Sequence, residues 1–528
     1  MGRVLTNNTS FRYAIEGTET AGSRAIGFLP GEDPGDGGGA IAGAPVWKDI
    51  EPNDISEFGA SIETVARNPI RRARGRQKGT ISNLESSVGF EADITVDSFL
   101  DFVEGFLFSN FSNDDLVFRG ANAETTGDTY TISAIDATTA AKIQSDLNID
   151  TIFFASGYRL AANNGLKVVD TAGVNGATTI AVEDNLADET APSNARLEIA
   201  GARFADGEIT SFNVAAAVAG VSGRIGTITF GNVNPTTLGL QVSQVVFLEL
   251  DSTIRGFARI TSITASTIVL DKMDAALVTN TPSGATTRLL FGQFVRDVAT
   301  DNAEFIERSF QFEAQYPGLA ADGISDAYEY AKGNFCSVLG YSLDLNDKGI
   351  YTAEFIGTDT DVPTETRKVV AAVNPANALA PLGTEAFSTV ADFARLGITD
   401  IDEEGLTTDI KNVEMTIDNN VSPENVLNRL GARFINFGNF FVDLTISIVF
   451  ADADVVSRIR QNTTVSLDMY LRNNDGVLAF GVPSMTLGDG SKDLPTDETV
   501  LLNLTGEAFE DPVTGASLAV SFIPSVPT

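Results

Sequence analysis

A chain of 528 residues is too long for one ordinary core and predicts several units of about 100 to 200 residues each. Hydrophobic residues at 43% and charged residues at 20% predict globular folding, while 71 acids against 35 bases, a formal charge of −36, argue against a protein that grips nucleic acid by neutralising phosphates. Without histidine, and with Cys336 as the single cysteine, the chain lacks the commonest general base, the commonest zinc ligand and any intrachain disulfide.

The N-terminus shows no apolar stretch of signal-peptide length, and no segment approaches 18 uninterrupted apolar residues, so folding in a cytoplasm is expected. Pro30 to Pro45 holds six glycines and three acids and predicts a long mobile loop rather than a regular element. The run RNPIRRARGRQKG then concentrates Arg67, Arg71, Arg72, Arg74, Arg76 and Lys78, with no acid between Thr64 and Leu84. Three readings fit it: a solvated loop, a patch for nucleic acid, and a loop that docks on acidic surface of a neighbouring copy. The last is preferred, because basic charge concentrated on an acidic protein supplies its own complementary partner and no aromatics are interleaved.

Most of the chain alternates apolar and polar residues, rich in Val, Ile, Thr and Phe, and predicts a mainly β protein. Phe90, Ala92, Ile94 and Val96 alternate with Glu91, Asp93, Thr95 and Asp97, predicting a half-buried strand. A helix is expected after it, capped by Asp97, with Phe99, Leu100, Phe102, Val103 and Phe106 on one stripe. Residues 440 to 450 repeat the plan: Phe440, Val442, Leu444, Ile446, Ile448 and Phe450 alternate with Phe441, Asp443, Thr445, Ser447 and Val449, again giving one strongly apolar face. A short helix is expected next, capped by Asp452 or Asp454, with Val455, Val456 and Ile459 as its stripe. One strand-then-helix unit used twice predicts two related lobes.

The expected division is residues 1–119 and 299–370 for the first lobe, 120–298 for an insertion, 371–400 for a linker and 401–528 for the second lobe. Within the insertion, Ile152 to Ile199 and Val245 to Phe291 share an order of strands: a short apolar one, one led by glycine, one of hydroxyl and apolar residues, one led by arginine. Two small β modules are expected there.

Chemistry finds little support. Asp359 with Asp361, and Asp489 with Asp493, lack the spacing of a calcium loop and read as turn residues. Cys336 sits in an apolar strand with no histidine to activate it, and no phosphate loop, dinucleotide fingerprint or nucleophile elbow is present. No enzyme activity, no cofactor and no metal is expected.

Three stretches carry a family resemblance: residues 67 to 109, residues 328 to 368, and residues 413 to 450 continued through Leu471-Arg472-Asn473-Asn474 and GVPSMTLGDG at 481 to 490. In order and texture the chain resembles the tail tube, or major tail, proteins of long non-contractile-tailed bacteriophages (siphophages), in a two-lobed form with an inserted outer domain. The resemblance implies two β-sandwich lobes, each flanked by a short helix, and rings closed by an inner β-barrel and stacked into a tube that conducts DNA. Trimeric rings are implied for a two-lobed chain, with other tail proteins as partners, a virion location, no membrane, and the insertion on the outer surface. In such a tube Glu91, Asp93, Asp443, Thr445 and Ser447 are expected to face the lumen, and the Arg67 to Lys78 loop is expected at a subunit interface. The competing reading is a surface adhesin or capsid decoration with immunoglobulin-like modules, and a carbohydrate-active enzyme ranks third.

Overall fold

A computed structural model describes residues 9–17, 26–35, 38–67, 70, 77–96, 98–113, 117–119, 123–132, 150–174, 179–192, 194–215, 224–282, 287–319, 325–381, 383–400, 405–407, 409–450, 454–494 and 499–527. Strands dominate, as the alternating sequence predicts, and two α-helices occur among the described residues, Ser98–Leu107 and Asp454–Gln461. Arg71, Arg72, Arg74, Arg76 and the expected caps Asp97 and Asp452 lie outside the described residues.

In the first lobe Ser10–Ile15 lies between Trp47–Ile50 and Ser309–Tyr316, and Ser309–Tyr316 pairs with the first half of the 18-residue strand Ala327–Asp344. The second half of that long strand pairs with Ile350–Gly357, then come Thr80–Asp93 and Asp54–Val65, all antiparallel. Ala327–Asp344 thus serves both layers of a sandwich. Between its two halves Gly333 adopts φ +60°, and a Cβ there would stand 2.3 Å from Thr358 Oγ1, so only glycine fits.

The second lobe repeats this order strand for strand. Phe393–Asp400 pairs with Thr464–Asn473, which pairs with the first half of another 18-residue strand, Gly476–Asp493. The second half of Gly476–Asp493 pairs with Leu501–Ala508, followed by Phe441–Val449 and Ile410–Asp418. Each helix follows the equivalent strand, Ser98–Leu107 after Thr80–Asp93 and Asp454–Gln461 after Phe441–Val449. The duplication read from two short segments is therefore a duplication of topology.

Helix Ser98–Leu107 buries the expected stripe between the layers: Phe102 lies 5.5 Å from Phe310 on one side and 5.6 Å from Phe355 on the other, ring centre to ring centre. One apolar cluster runs without a break from Phe11 and Phe90 in the first lobe to Leu444, Met469 and Phe522 in the second. Glu313, fully buried, is held among Arg12, Arg367 and Tyr330, which satisfies its charge inside that core.

Strands from Val117–Arg119 to Thr287–Leu290 pair with one another in a second sheet. Thr151–Ser156 pairs with Gly165–Val174 and Arg196–Phe204, and Gly165–Val174 also pairs with Thr179–Val182. Val245–Glu249, Arg255–Ile263, Thr267–Asp271 and Thr287–Leu290 repeat those pairings, and the two fourth strands, Arg196–Phe204 and Thr287–Leu290, pair with each other. A preceding hairpin extends each set, Ala123–Thr126 with Thr129–Ile132 and Ile209–Ala215 with Ile225–Phe230.

Pairing shifts three expected features. Phe393–Asp400, assigned to the linker, is a strand of the second lobe, and Gln293–Arg296, assigned to the insertion, pairs with Ala519–Ile523. The first half-buried strand begins at Thr80 and ends at Asp93; Ile94 and Val96 are buried beyond its end. The described residues of the glycine-rich loop form no regular element, and the loop folds back on itself through Gly31 N–H to Ile41 O and Ile41 N–H to Glu32 O, both 2.8 Å.

Candidate assembly edges and channel face

The lobes meet by strand pairing: Val338 to Asp344 of the first lobe lie opposite Asp418 to Asn412 of the second. The result is one run of eight antiparallel strands: Asp54–Val65, Thr80–Asp93, Ile350–Gly357, Ala327–Asp344, Ile410–Asp418, Phe441–Val449, Leu501–Ala508 and Gly476–Asp493. Successive side chains alternate between faces, so Val413, Met415, Ile417, Val442, Leu444, Ile446 and Ile448 enter the core while their neighbours meet water.

Cross-strand register puts the five residues expected at a lumen on that water face. Glu91 stands opposite Thr352, Thr352 opposite Gly340, Gly340 opposite Thr416, Thr416 opposite Asp443, and Asp443 opposite Glu507. The next row runs from Asp93 through Ile350, Ser342 and Glu414 to Thr445, and Ser447 lies two residues beyond on the same face. Of the acids Glu91, Asp93, Glu354, Glu414, Asp443 and Glu507, Asp93 alone has an ion-pair partner among the described residues, Lys348 at 2.7 Å. The face is open to solvent, hydroxylated and anionic.

Both outer strands of this run leave a ladder edge open among the described residues. Asp54–Val65 pairs only with Thr80–Asp93, and the Leu487 to Asp493 half of the last strand pairs only with Leu501–Ala508. The first edge is twelve residues long and mostly exposed, including Ile62 and Val65. Arg67 and Lys78, the two described members of the basic run, are exposed where the Asp54–Val65 and Thr80–Asp93 hairpin turns.

A further hairpin, Ser422–Asn425 with Ala432–Asn436, occupies the equivalent turn of the second lobe and is absent from the expected elements. Val421, Ala432 and Ile435 pack against Phe108 and Phe335 of the first lobe, and Gly431, φ +83°, lets the hairpin approach Thr358 O, which a Cβ would reach at 2.5 Å. The signal in the sequence is faint: Asn428, at φ +68°, and Gly431 are the left-handed positions that make the turn.

Among the described residues no three of Asp, Glu, Cys and His converge as metal ligands, and burial pushes the Cys336 thiol up, away from reactivity. The candidate calcium residues have other engagements or none together: Asp361 pairs with Lys332 at 2.5 Å, and Asp489 accepts from Ser491.

What the geometry offers is a duplicated sandwich with matching open edges and one polar face, and a family model for phage tail tube proteins matches residues 6–508. The chain belongs to the phage tail tube proteins. No curated protein matches it. As a tail tube protein it is a structural component of the virion tail, in a family of structural proteins that assemble with other tail proteins rather than of enzymes. No helix among the described residues is long and apolar enough to cross a membrane.

Proposed function

We propose that this tail tube protein closes into rings of three copies and stacks them into the conduit through which DNA leaves a siphophage virion, after folding in the host cytoplasm. The observation that carries the proposal is the equivalence between the joint inside the chain and the two edges left open outside it. The internal joint uses Ala327–Asp344 and Ile410–Asp418. Their counterparts in the duplicated order are Gly476–Asp493 and Asp54–Val65, the open edges. Eight antiparallel strands leave those outer strands antiparallel to each other, so a neighbouring copy continues the alternation without a break.

Three copies of eight strands make 3 × 8 = 24. At a spacing of about 4.8 Å and a tilt near 40°, such a barrel measures roughly 50 Å across its backbone, and barrels beyond about sixteen strands leave an aqueous channel. Closure also removes the edges that would otherwise pair without control. The lumen is then lined by Glu91, Asp93, Asp443, Thr445 and Ser447, a wet anionic wall that DNA passes without sticking. The inserted sheet packs through Val245, Phe247, Phe257 and Leu290 on Tyr470, Val477 and Ala479, in the layer away from the channel face, which supports an outer position. The Arg67, Arg71, Arg72, Arg74, Arg76 and Lys78 loop is assigned to contacts between copies.

Proline at Ser61 and at Ile62, made one at a time, tests the edge. Consecutive residues of a strand point their N–H groups to opposite sides, so one of the two variants removes a donor aimed at the neighbour. That variant is expected to keep the β spectrum of the parent and fail to form tubes in negative-stain electron microscopy. Normal tubes from both variants would refute the proposed closure.

A further inference from the structure

The two ends of the eight-stranded sheet differ in charge and shape. At one end stand the basic turn after Val65 and the hairpin whose tip is Val426-Leu427-Asn428-Arg429-Leu430. The hairpin is anchored, with Val421, Ala432 and Ile435 buried and Asn425 Nδ2 donating to Asn83 Oδ1 at 3.2 Å, yet its tip stands out in water, with Leu427 98% exposed. Arg429 is exposed and has no ion-pair partner among the described residues. Val426, Leu427 and Leu430 together expose apolar surface at this anchored tip, the kind of patch that marks an interaction site.

At the opposite end, where Asp54–Val65 begins and Thr80–Asp93 ends, two adjoining cavities of about 410 and 330 Å³ flank the segment Asp49 to Asn53. Ile50, Ile55, Pro52 and Pro381 supply apolar walls. The carboxylates around them are Asp49, paired with Arg12 at 2.6 Å, Asp93, paired with Lys348, and Glu51 and Asp54, both exposed and without ion-pair partners among the described residues. Among the described lining residues Arg12 is the one base, and its charge is taken up by Asp49 and Glu313.

We infer that the Val426 to Leu430 tip of one copy docks on the Asp49 to Asp54 groove of a second copy in the adjacent ring, Leu427 seated against the prolines and Arg429 facing Glu51. The inference rests on the proposed tube and names the contact that stacks it. Because the tip and the groove lie at opposite ends of the same sheet, repetition of the contact runs head to tail and gives the tube one direction. Charge complementarity commits the occupant: the chain carries a formal charge of −36, and a cationic apolar tip fits the acidic end of its own kind.

Arg429→Glu, Leu427→Asp and the double variant Arg429→Glu with Glu51→Arg test it on full-length protein, with tube length and free rings scored by electron microscopy. All three positions are exposed, so the fold is expected to be retained. Each single substitution at the tip is expected to leave closed rings and shorten tubes at least tenfold, and the charge exchange in the double variant is expected to restore length. Tubes of parental length from the single variants would overturn the stacking contact while leaving ring closure intact. Loss of rings as well as tubes would place the tip in the lateral joint and overturn it too, whereas failure of the parent chain to form rings would count against the tube itself.

Discussion

Asp443 stands directly opposite Glu507 on neighbouring antiparallel strands, with both carboxylates exposed on the same face of the sheet. Like charges in that position oppose sheet formation, so the pair costs stability that the fold does not need to spend. Asp443→Asn is expected to stabilise the isolated chain by about 0.5 kcal/mol, an effect that shrinks as salt screens the repulsion. Thermal unfolding at low and high ionic strength checks this. A lower midpoint in the variant would mean that Asp443 has a structural partner.

The anionic wall makes a separate prediction for phage carrying the altered protein. Glu91→Lys together with Asp93→Lys is expected to leave tubes intact and slow DNA ejection, because phosphates then meet cations along their path. Asp93 also holds Lys348, so Glu91→Lys alone serves as the milder control. Unchanged ejection from normal tubes would remove these residues from the channel.

Gly105 lies on the face of the first helix that approaches the sheet most closely: a Cβ would meet Cys336 Sγ and Phe310 Cε2, each at 2.7 Å. Gly105→Ala is expected to destabilise by about 1–3 kcal/mol, since the core there has no room to yield. Gly397→Ala, where nothing lies within 4 Å of the added carbon, is expected to be tolerated. Urea unfolding of the pair separates crowding from any general effect of losing a glycine.

Glu16 is buried where Gly27 N–H, Gly333 N–H and the Ser309 hydroxyl converge on its two oxygens at 2.7, 2.9 and 2.5 Å. Burial raises its pKa from 4.5 to about 7 against those hydrogen bonds. The folded chain therefore holds this proton more tightly than the unfolded one. The contribution of this group to stability is greatest below pH 4.5, falls between 4.5 and 7, and is level above that, by about 3 kcal/mol in all. Glu16→Gln is expected to lose that slope and, with one acceptor oxygen for three donors, to be less stable at every pH. Equal slopes in the two proteins, measured by urea unfolding at about pH 5 and pH 8, would contradict the assignment.

Neutralising Arg71, Arg72 and Arg74 together is expected to yield soluble protomers or loose rings, because the strand ends that flank them, Val65 and Thr80, lie at the same end of the sheet as the second-lobe tip. Sedimentation of the triple variant against the parent checks this, and normal tubes would return the loop to plain solvent.

Legibility in the sequence tracks burial. Phe441–Val449 has one face in the core and one in water, so its alternation is plain, and the helix stripe from Phe99 to Phe106 is buried and equally plain. Asp54–Val65 has little buried on either face in the isolated chain, so no alternation announces it, although it forms half of the proposed joint. The Ser422–Asn436 hairpin hides for the same reason. Pairing between distant segments is silent in composition: Gln293–Arg296 meets Ala519–Ile523 across more than 200 residues, and Phe393–Asp400 meets Thr464–Asn473, so neither boundary can be drawn from local pattern. The polar face is legible residue by residue, because Glu91, Asp93, Asp443, Thr445 and Ser447 sit between apolar neighbours. That they share one face of one continuous sheet emerges only from the lobe junction.

Electron cryomicroscopy of the assembled tube at side-chain resolution tests ring closure most directly. The expected map shows Asp54–Val65 of each copy hydrogen-bonded, antiparallel, to the Leu487 to Asp493 half-strand of its neighbour, with three copies completing one barrel around the axis. A map in which either edge remains unpaired, or pairs with another segment, would contradict it.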